Sequence, residues 1–82
     1  MSYEKVKQAS KTIIGTKQTV KALKSGIVQK IIVAKDADDR MTEQIILLAL
    51  EKGIRIEFAD SRLKLGKAYG LRVGATAIAI TG

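Results

Sequence analysis

The segment KIIVAKDADD, residues 30–39, decides the fold class of this chain. Four consecutive apolar residues, from Ile31 to Ala34, are typical of a strand that is covered on both faces. Asp38 or Asp39 can accept hydrogen bonds from the first N–H groups of a helix and can complement its dipole. The segment therefore predicts a buried strand that leads into a capped helix.

The chain after this segment continues the alternation of helix and strand. A helix is expected over about residues 40–52, with Gly53 at its end. It is apolar throughout residues 45–50, so we expect it to be deeply buried. IRIEF, residues 54–58, alternates between apolar and charged side chains, as a strand with one covered face does.

The remaining elements complete an α/β pattern. They are a short helix over residues 2–10, a strand in TIIG (12–15), a helix over residues 16–25 stopped by Gly26, a helix opened by Asp60 or Ser61 and ended by Gly70, and a strand in ATAIAIT (75–81). Strands that alternate with helices indicate helices on both faces of a sheet. We predict a single domain over residues 1–82, a three-layer α/β/α sandwich with a small mixed sheet of about four strands.

The composition excludes several classes of protein. The 82 residues include no cysteine and no histidine, so disulfides and the usual zinc sites are excluded. The amino terminus is polar where a signal peptide would be apolar, and the longest apolar run is too short to span a bilayer. A cytoplasmic protein with no membrane partner is expected.

The positive charge is unevenly distributed along the chain. The net charge is +7; residues 1–30 carry seven lysines and one acid, and residues 61–82 carry four basic residues and no acid. The middle third, residues 31–60, carries four basic residues and seven acids. If folding brings the outer thirds together, one side of the molecule becomes an anion-binding surface. A basic surface without a specific partner is the alternative.

The segment GTKQT, residues 15–19, is the first candidate site. The amino end of a helix offers unpaired N–H groups and a positive dipole, which together bind phosphate. Gly15 permits close approach, Thr16 can donate or cap, and Lys17 and Lys21 add charge. The segment lacks the ending of a Walker loop and is not a dinucleotide fingerprint. An ordinary Gly-Thr helix start beside a solvated lysine stripe explains it equally well.

The segment LGKAYGLRVGA, residues 65–75, is the second candidate site. Gly66 lies inside a predicted helix, where glycine costs about 1 kcal/mol relative to alanine, so a close approach is expected there. Leu71, Arg72 and Val73 form an apolar-basic-apolar loop that is suited to contact with a partner. Alternatively, Leu71 and Val73 turn inward and cover the end of the sheet.

Catalysis and metal binding are not expected. In DADD, residues 36–39, helix capping accounts for Asp38 and Asp39, and no second acidic cluster completes a metal cage. Without histidine, no nucleophile–base pair can be read from the spacing. No metal or cofactor is predicted. Only Tyr69 lies near a basic loop, so stacking on several aromatic residues, as in single-strand binders, is not expected either.

Taken together, GTKQTVKAL and, some fifty residues later, LGKAYGLRVGATAIAI resemble the kink-turn-binding ribosomal protein superfamily, the group that contains the archaeal large-subunit protein L-seven-Ae. The similarity runs along essentially the whole chain, including IIVAKDAD. It implies a protein that recognises a kink-turn, a sharply bent RNA helix with a bulge beside tandem sheared G·A pairs. A ribosome or another ribonucleoprotein particle would then be a candidate partner.

The resemblance also implies roles for individual residues. The amino end of the second predicted helix would enter the widened major groove, with Gly15 and Thr16 near the backbone. Lys17, Gln18 and Lys21 would face guanine edges and phosphates, and Lys24 would extend this basic stripe. The loop of Leu71, Arg72 and Val73 would lie over the bulged nucleotides. This chain departs from the family at Lys17-Gln18, where many members have Asn-Glu.

A second function remains open from the sequence. The basic edge could dock an acidic protein, with the loop of residues 71–73 as an apolar anchor. A short chain without an evident apolar seam is expected to be a monomer.

Overall fold

The computed structural model describes residues 11–37 and 40–81. The elements along the chain are β1 (Lys11–Ile14), α1 (Thr16–Ser25), β2 (Val28–Ala34), α2 (Arg40–Glu51), β3 (Arg55–Ala59), α3 (Arg62–Ala68) and β4 (Ala77–Thr81). The helix expected over residues 2–10 and the caps expected at Asp38 or Asp39 lie outside the described residues. Within them, each predicted strand and helix is present.

The four strands form one mixed sheet in the order β1-β4-β2-β3. Strand β4 is antiparallel to both β1 and β2, whereas β2 and β3 are parallel. Strands β1, β2 and β3 therefore end at the same end of the sheet, where β4 begins. We call this the upper end, marked by Ile14, Ala34, Ala59 and Ala77.

Helices cover both faces of the sheet, which confirms the predicted three-layer sandwich. On one face α1 and α2 pack against the sheet, and the core includes Leu23, Ile31, Val33, Ile45 and Ala79. On the other face α3 packs over a smaller cluster formed by Ile32, Ala34, Leu65, Ala75 and Ile78. The run Ile31 to Ala34 alternates between the two clusters, which is why all four of its residues are apolar.

Helix α2 is less buried than its composition predicts. Ile45 and Ala49 are fully buried, but Leu47 and Leu50 are 66% and 64% exposed. A helix turns by about 100° per residue, so a run of six apolar residues surrounds it, while α1 and the sheet cover only one side. The expectation that residues 45–50 are deeply buried is therefore wrong for the outer side of this helix.

The two shorter helices begin and end as predicted. Ser61 Oγ accepts a hydrogen bond from Lys64 N (3.1 Å) at the start of α3, and Tyr69 and Gly70 follow its last residue. Gly26 follows α1 and adopts a left-handed conformation. Among the described residues, no helix is both long and apolar enough to cross a membrane.

Candidate functional site

The amino end of α1 lies at the upper end of the sheet, directly after β1. Gly15 has φ 114° and ψ 151°, a conformation that is essentially restricted to glycine. Its N–H donates to the carbonyl oxygen of Ala77 (3.1 Å), and its own carbonyl oxygen accepts from Thr19 N (2.9 Å). Gly15 thus turns the chain from β1 into α1 and holds the start of the helix beside the first residue of β4.

The first turn of α1 is open to an anion. Gly15 occupies the N-cap position, so the N-cap residue offers the first amides no side-chain acceptor. No acidic residue lies in the first turn. Since the first amides of a helix have no intrahelical partner and the dipole is positive there, a phosphate or carbonyl oxygen can accept from Thr16, Lys17 or Gln18 N–H.

The side chain of Gln18 lies over this opening. A Cβ atom placed on Gly15 would lie 2.7 Å from Gln18 Oε1, so the carboxamide folds back across the glycine. Glycine is therefore favoured at position 15 for a second reason besides its backbone angles, because any side chain there would displace the carboxamide of Gln18. The carboxamide offers both a donor and an acceptor at the end of the helix.

Three lysines lie along one side of α1. Lys17, Lys21 and Lys24 are all exposed, as the predicted polar stripe requires. None of them forms an ion pair with another residue in 11–37 or 40–81. Lys24 lies about 10 Å further along the helix axis than Lys17, since each residue adds about 1.5 Å. Lys17 and Lys21 are therefore the lysines near the open amino end.

For the loop that follows α3, the sequence left open whether Leu71 and Val73 face a partner or turn inward, and the structure gives a different answer for each. Leu71 is half-buried and packs against the smaller core cluster, whereas Val73 is 69% exposed and Arg72 is exposed as well. Leu71 N donates to Gly66 O (2.9 Å) and Gly70 N to Lys67 O (3.1 Å), the two bonds that define a Schellman ending. Leu71 therefore turns inward and anchors the loop, while Arg72 and Val73 face solvent.

Gly66 is the contact point between α3 and this loop. A Cβ atom on Gly66 would overlap the carbonyl oxygen of Val73 and would lie 3.3 Å from Gly74 Cα. The expected close approach at Gly66 is therefore confirmed, and the neighbour is the backbone of the candidate loop itself. Ala75 N donates to Arg62 O (3.0 Å) and fixes the far side of the loop to the start of α3.

The fold brings the two candidate segments to the same end of the sheet. Ala77 bonds to Gly15, and Thr76 O accepts from Ala34 N (3.0 Å). Val73 is four residues before Ala77, at most about 14 Å along the chain. The open end of α1 and the exposed part of the loop, far apart in sequence, thus lie at the same end of the sheet.

Asp36 supports this end of the sheet, a role that no local sequence pattern predicts. Its Oδ1 accepts from Arg62 N (2.8 Å) and lies 3.6 Å from Arg62 Nε. Asp36 therefore caps a helix that begins 26 residues later, whereas a sequence pattern reveals only caps of the helix that follows directly. Among the described residues, no group of three or more acidic side chains could hold a metal ion.

Comparisons with known proteins give consistent results. A model of the ribosomal protein L7Ae/L30e/S12e/Gadd45 family matches residues 2–82. An RNA-binding protein from Bacillus pumilus is 60% identical, and the RNA-binding protein YbxF from Geobacillus stearothermophilus is 51% identical, each over 98% of both chains. The structure of the Giardia lamblia 15.5kD RNA binding protein superposes with a TM-score of 0.79 at 28% identity, over 92% of this chain and 62% of that chain.

Proposed function

Because the chain belongs to the ribosomal protein L7Ae/L30e/S12e/Gadd45 family, we propose that it is a non-catalytic RNA-binding protein whose ligand is a kink-turn. The similar proteins from Bacillus pumilus, Geobacillus stearothermophilus and Giardia lamblia are each named as RNA-binding. The chain acts as one domain, and its RNA partner lies within a ribosomal, riboswitch or other ribonucleoprotein setting.

One observation carries the proposal: the open amino end of α1 and the exposed loop share the upper end of the sheet. The hydrogen bond from Gly15 N to Ala77 O (3.1 Å) connects them. Helix amides and Lys17 and Lys21 supply phosphate contacts at one side, and Arg72 and Val73 cover unpaired nucleotides at the other. A straight duplex fits such a two-part surface poorly, whereas a sharply bent RNA presents a groove and a bulge side by side.

The chemistry of the helix end suits the widened groove of a kink-turn. Guanine presents O6 and N7 as acceptors, which suit lysine and the amide group of a glutamine. The major groove of undistorted A-form RNA is too narrow for a helix end, so entry of α1 requires the kink. The protein then binds the bent conformer of the RNA more tightly than the open one, and binding shifts the RNA toward the bent conformer.

Gln18 takes the position where many family members have a glutamate. Its carboxamide oxygen replaces part of the lost acceptor for guanine N–H groups, and its position over Gly15 holds that oxygen at the helix end. Lys17 adds attraction for phosphate that does not depend on sequence. Kink-turn binding therefore persists, with a stronger dependence on salt.

The experiment that tests the function is a titration of labelled kink-turn RNA beside a fully paired duplex of equal length. At about 100 mM salt, where attraction between exposed charges is screened, we expect a preference of ~100-fold or more for the kink-turn, about 2.7 kcal/mol. Equal, weak binding to both RNAs would contradict the proposal. It would favour the alternative function, a basic module that docks an acidic protein.

Variants locate the binding site. Lys21→Ala and Gln18→Ala should weaken kink-turn binding without unfolding the protein. Lys21→Ala should also lower the slope of log Kd against log salt by about one, because one contact between a lysine and a phosphate is lost. Lys52→Ala is the matched control, because Lys52 is exposed and follows α2 at the opposite end of the sheet. If Lys52→Ala weakened binding as much as Lys21→Ala, the assigned site would be wrong.

A further inference from the structure

Helix α3 carries an exposed face that combines an apolar and a basic side chain. Leu63 is 58% exposed, and Lys67, four residues later on the same side of the helix, is exposed as well. Within residues 11–37 and 40–81 no ion pair involves Lys67. An uncovered leucine beside a cation without an ion pair suits a ligand that offers both apolar surface and negative charge.

This face of α3 borders the exposed part of the loop that follows it. Gly66, which abuts the carbonyl oxygen of Val73, lies one turn after Leu63 and directly before Lys67. Leu63 also lines a cleft together with Gly74 and Thr76, on the far side of the loop. The loop and the outer face of α3 therefore form one continuous surface.

The charge of this surface has a single sign. Residues 61–82 contain four basic residues and no acid. Two of the four are held in ion pairs with aspartates, whereas Lys67 and Arg72 form none with the part of the chain that the structure describes. These two cations lie beside the exposed apolar residues Leu63 and Val73. An RNA strand with unpaired bases matches this pattern, because it presents phosphates and uncovered base faces in alternation.

We propose that Leu63 and Lys67 extend the RNA site onto α3 and bind the strand that leaves the bulge on the side away from the G·A pairs. Lys67 contacts a phosphate of this strand, and Leu63 packs against the base beside it. A strand held at α1 that crosses the loop continues onto α3, because the loop and α3 lie on the same face of the sheet and α1 lies on the other. The inference rests on the proposed function, since it names a further contact of the same RNA.

Three variants on α3 test the inference in the titration with kink-turn RNA. Lys67→Ala should weaken binding about three- to tenfold and lower the slope of log Kd against log salt by about one, because a contact with a phosphate is lost. Leu63→Gln should weaken binding by a similar factor without changing that slope, because it removes no charge. Both variants should fold, since both residues are exposed.

Lys64→Ala is the matched control on the same helix. Two residues turn a helix by about 200°, so Lys64 lies on the side of α3 away from Gly66 and the loop. Its Nζ also lies 3.4 Å from Asp60 Oδ2, which holds it there. Lys64→Ala should therefore bind the kink-turn within about twofold of the wild type.

A tethered probe locates the contact directly. The chain has no cysteine, so one introduced cysteine carries an iron–EDTA group at a single position. From Lys67→Cys the probe should cut the RNA beyond the bulge, whereas from Lys17→Cys it should cut on the side of the G·A pairs. Lys52→Cys, at the opposite end of the sheet, sets the background.

Two failures can be told apart. If the wild type prefers the kink-turn but Lys67→Ala and Leu63→Gln bind as tightly as the wild type, the contact on α3 is refuted and the proposed function stands. Cutting from position 67 no stronger than from position 52 would refute the contact in the same way. If the wild type binds the kink-turn and the paired duplex equally, the proposed function fails, and the contact on α3 fails with it.

Discussion

Replacing Gly66 with alanine separates what local propensity predicts from what the tertiary structure predicts. In an isolated helix the substitution would stabilise α3 by about 1 kcal/mol, because alanine is the better helix former. In the folded protein the new methyl group would overlap the carbonyl oxygen of Val73 and crowd Gly74 Cα at 3.3 Å. The two contributions to the free energy of unfolding therefore have opposite signs.

The structure gives the size of the destabilising contribution. The overlap is with backbone, which cannot rotate away, and overpacking of this kind costs about 1–3 kcal/mol. Moving the loop away also strains the bond from Ala75 N to Arg62 O, which contributes about 1 kcal/mol. After subtraction of the propensity gain, Gly66→Ala should lower the free energy of unfolding by about 1–3 kcal/mol, or the melting temperature by about 10 °C.

Urea denaturation followed by circular dichroism measures this change, and the slope of the transition checks that the folded state is otherwise intact. Lys67→Ala on the same helix is the control, because Lys67 is exposed and its removal should change stability by less than about 0.5 kcal/mol. A Gly66→Ala variant as stable as the wild type, or more stable, would refute the close contact between α3 and the loop. A destabilised variant should also bind kink-turn RNA more weakly, since the loop is displaced.

Three further predictions test the support of the upper end. Gly15→Ala should destabilise the fold by about 1–3 kcal/mol through its backbone angles, and a variant with a wild-type urea midpoint would contradict the conformation at φ 114°. Asp36→Ala should cost about 1 kcal/mol in a thermal melt, because α3 loses its carboxylate cap; unchanged stability would show that the bond to Arg62 N contributes nothing. Leu71→Ala should destabilise more than Val73→Ala, which should stay within about 0.5 kcal/mol, because only Leu71 packs inward. The reverse order in urea denaturation would show that Val73, and not Leu71, packs inward.

Much of the fold could be predicted because its signals are local. The four apolar residues of β2, the glycines that end the helices and the Ser61 cap each specify a structure through their nearest neighbours. The burial of α2 could not be predicted in the same way. Its apolar run surrounds the helix, and only the positions of α1 and the sheet determine that Ile45 is covered while Leu47 and Leu50 are exposed.

The candidate site shows the same division. The residues GTKQT and LRV could be selected from the sequence, because an open helix start and a glycine-flanked basic loop are chemical signals in themselves. Their meeting at one end of the sheet depends on β4 running antiparallel between β1 and β2, which brings Ala77 to Gly15. The roles of Asp36 and of Leu71 depend equally on that packing.

By itself, the amino-acid sequence determined the alternation of strands and helices, the layers that result and the candidate residues for binding an anion. Those properties follow from side-chain periodicity, capping and charge, which act over a few residues. Only the tertiary structure decided which apolar residues stay exposed, which carboxylate caps which helix and which side of the loop faces solvent. Each of these depends on contacts between segments tens of residues apart, where a shift of a few ångströms decides between contact and solvent.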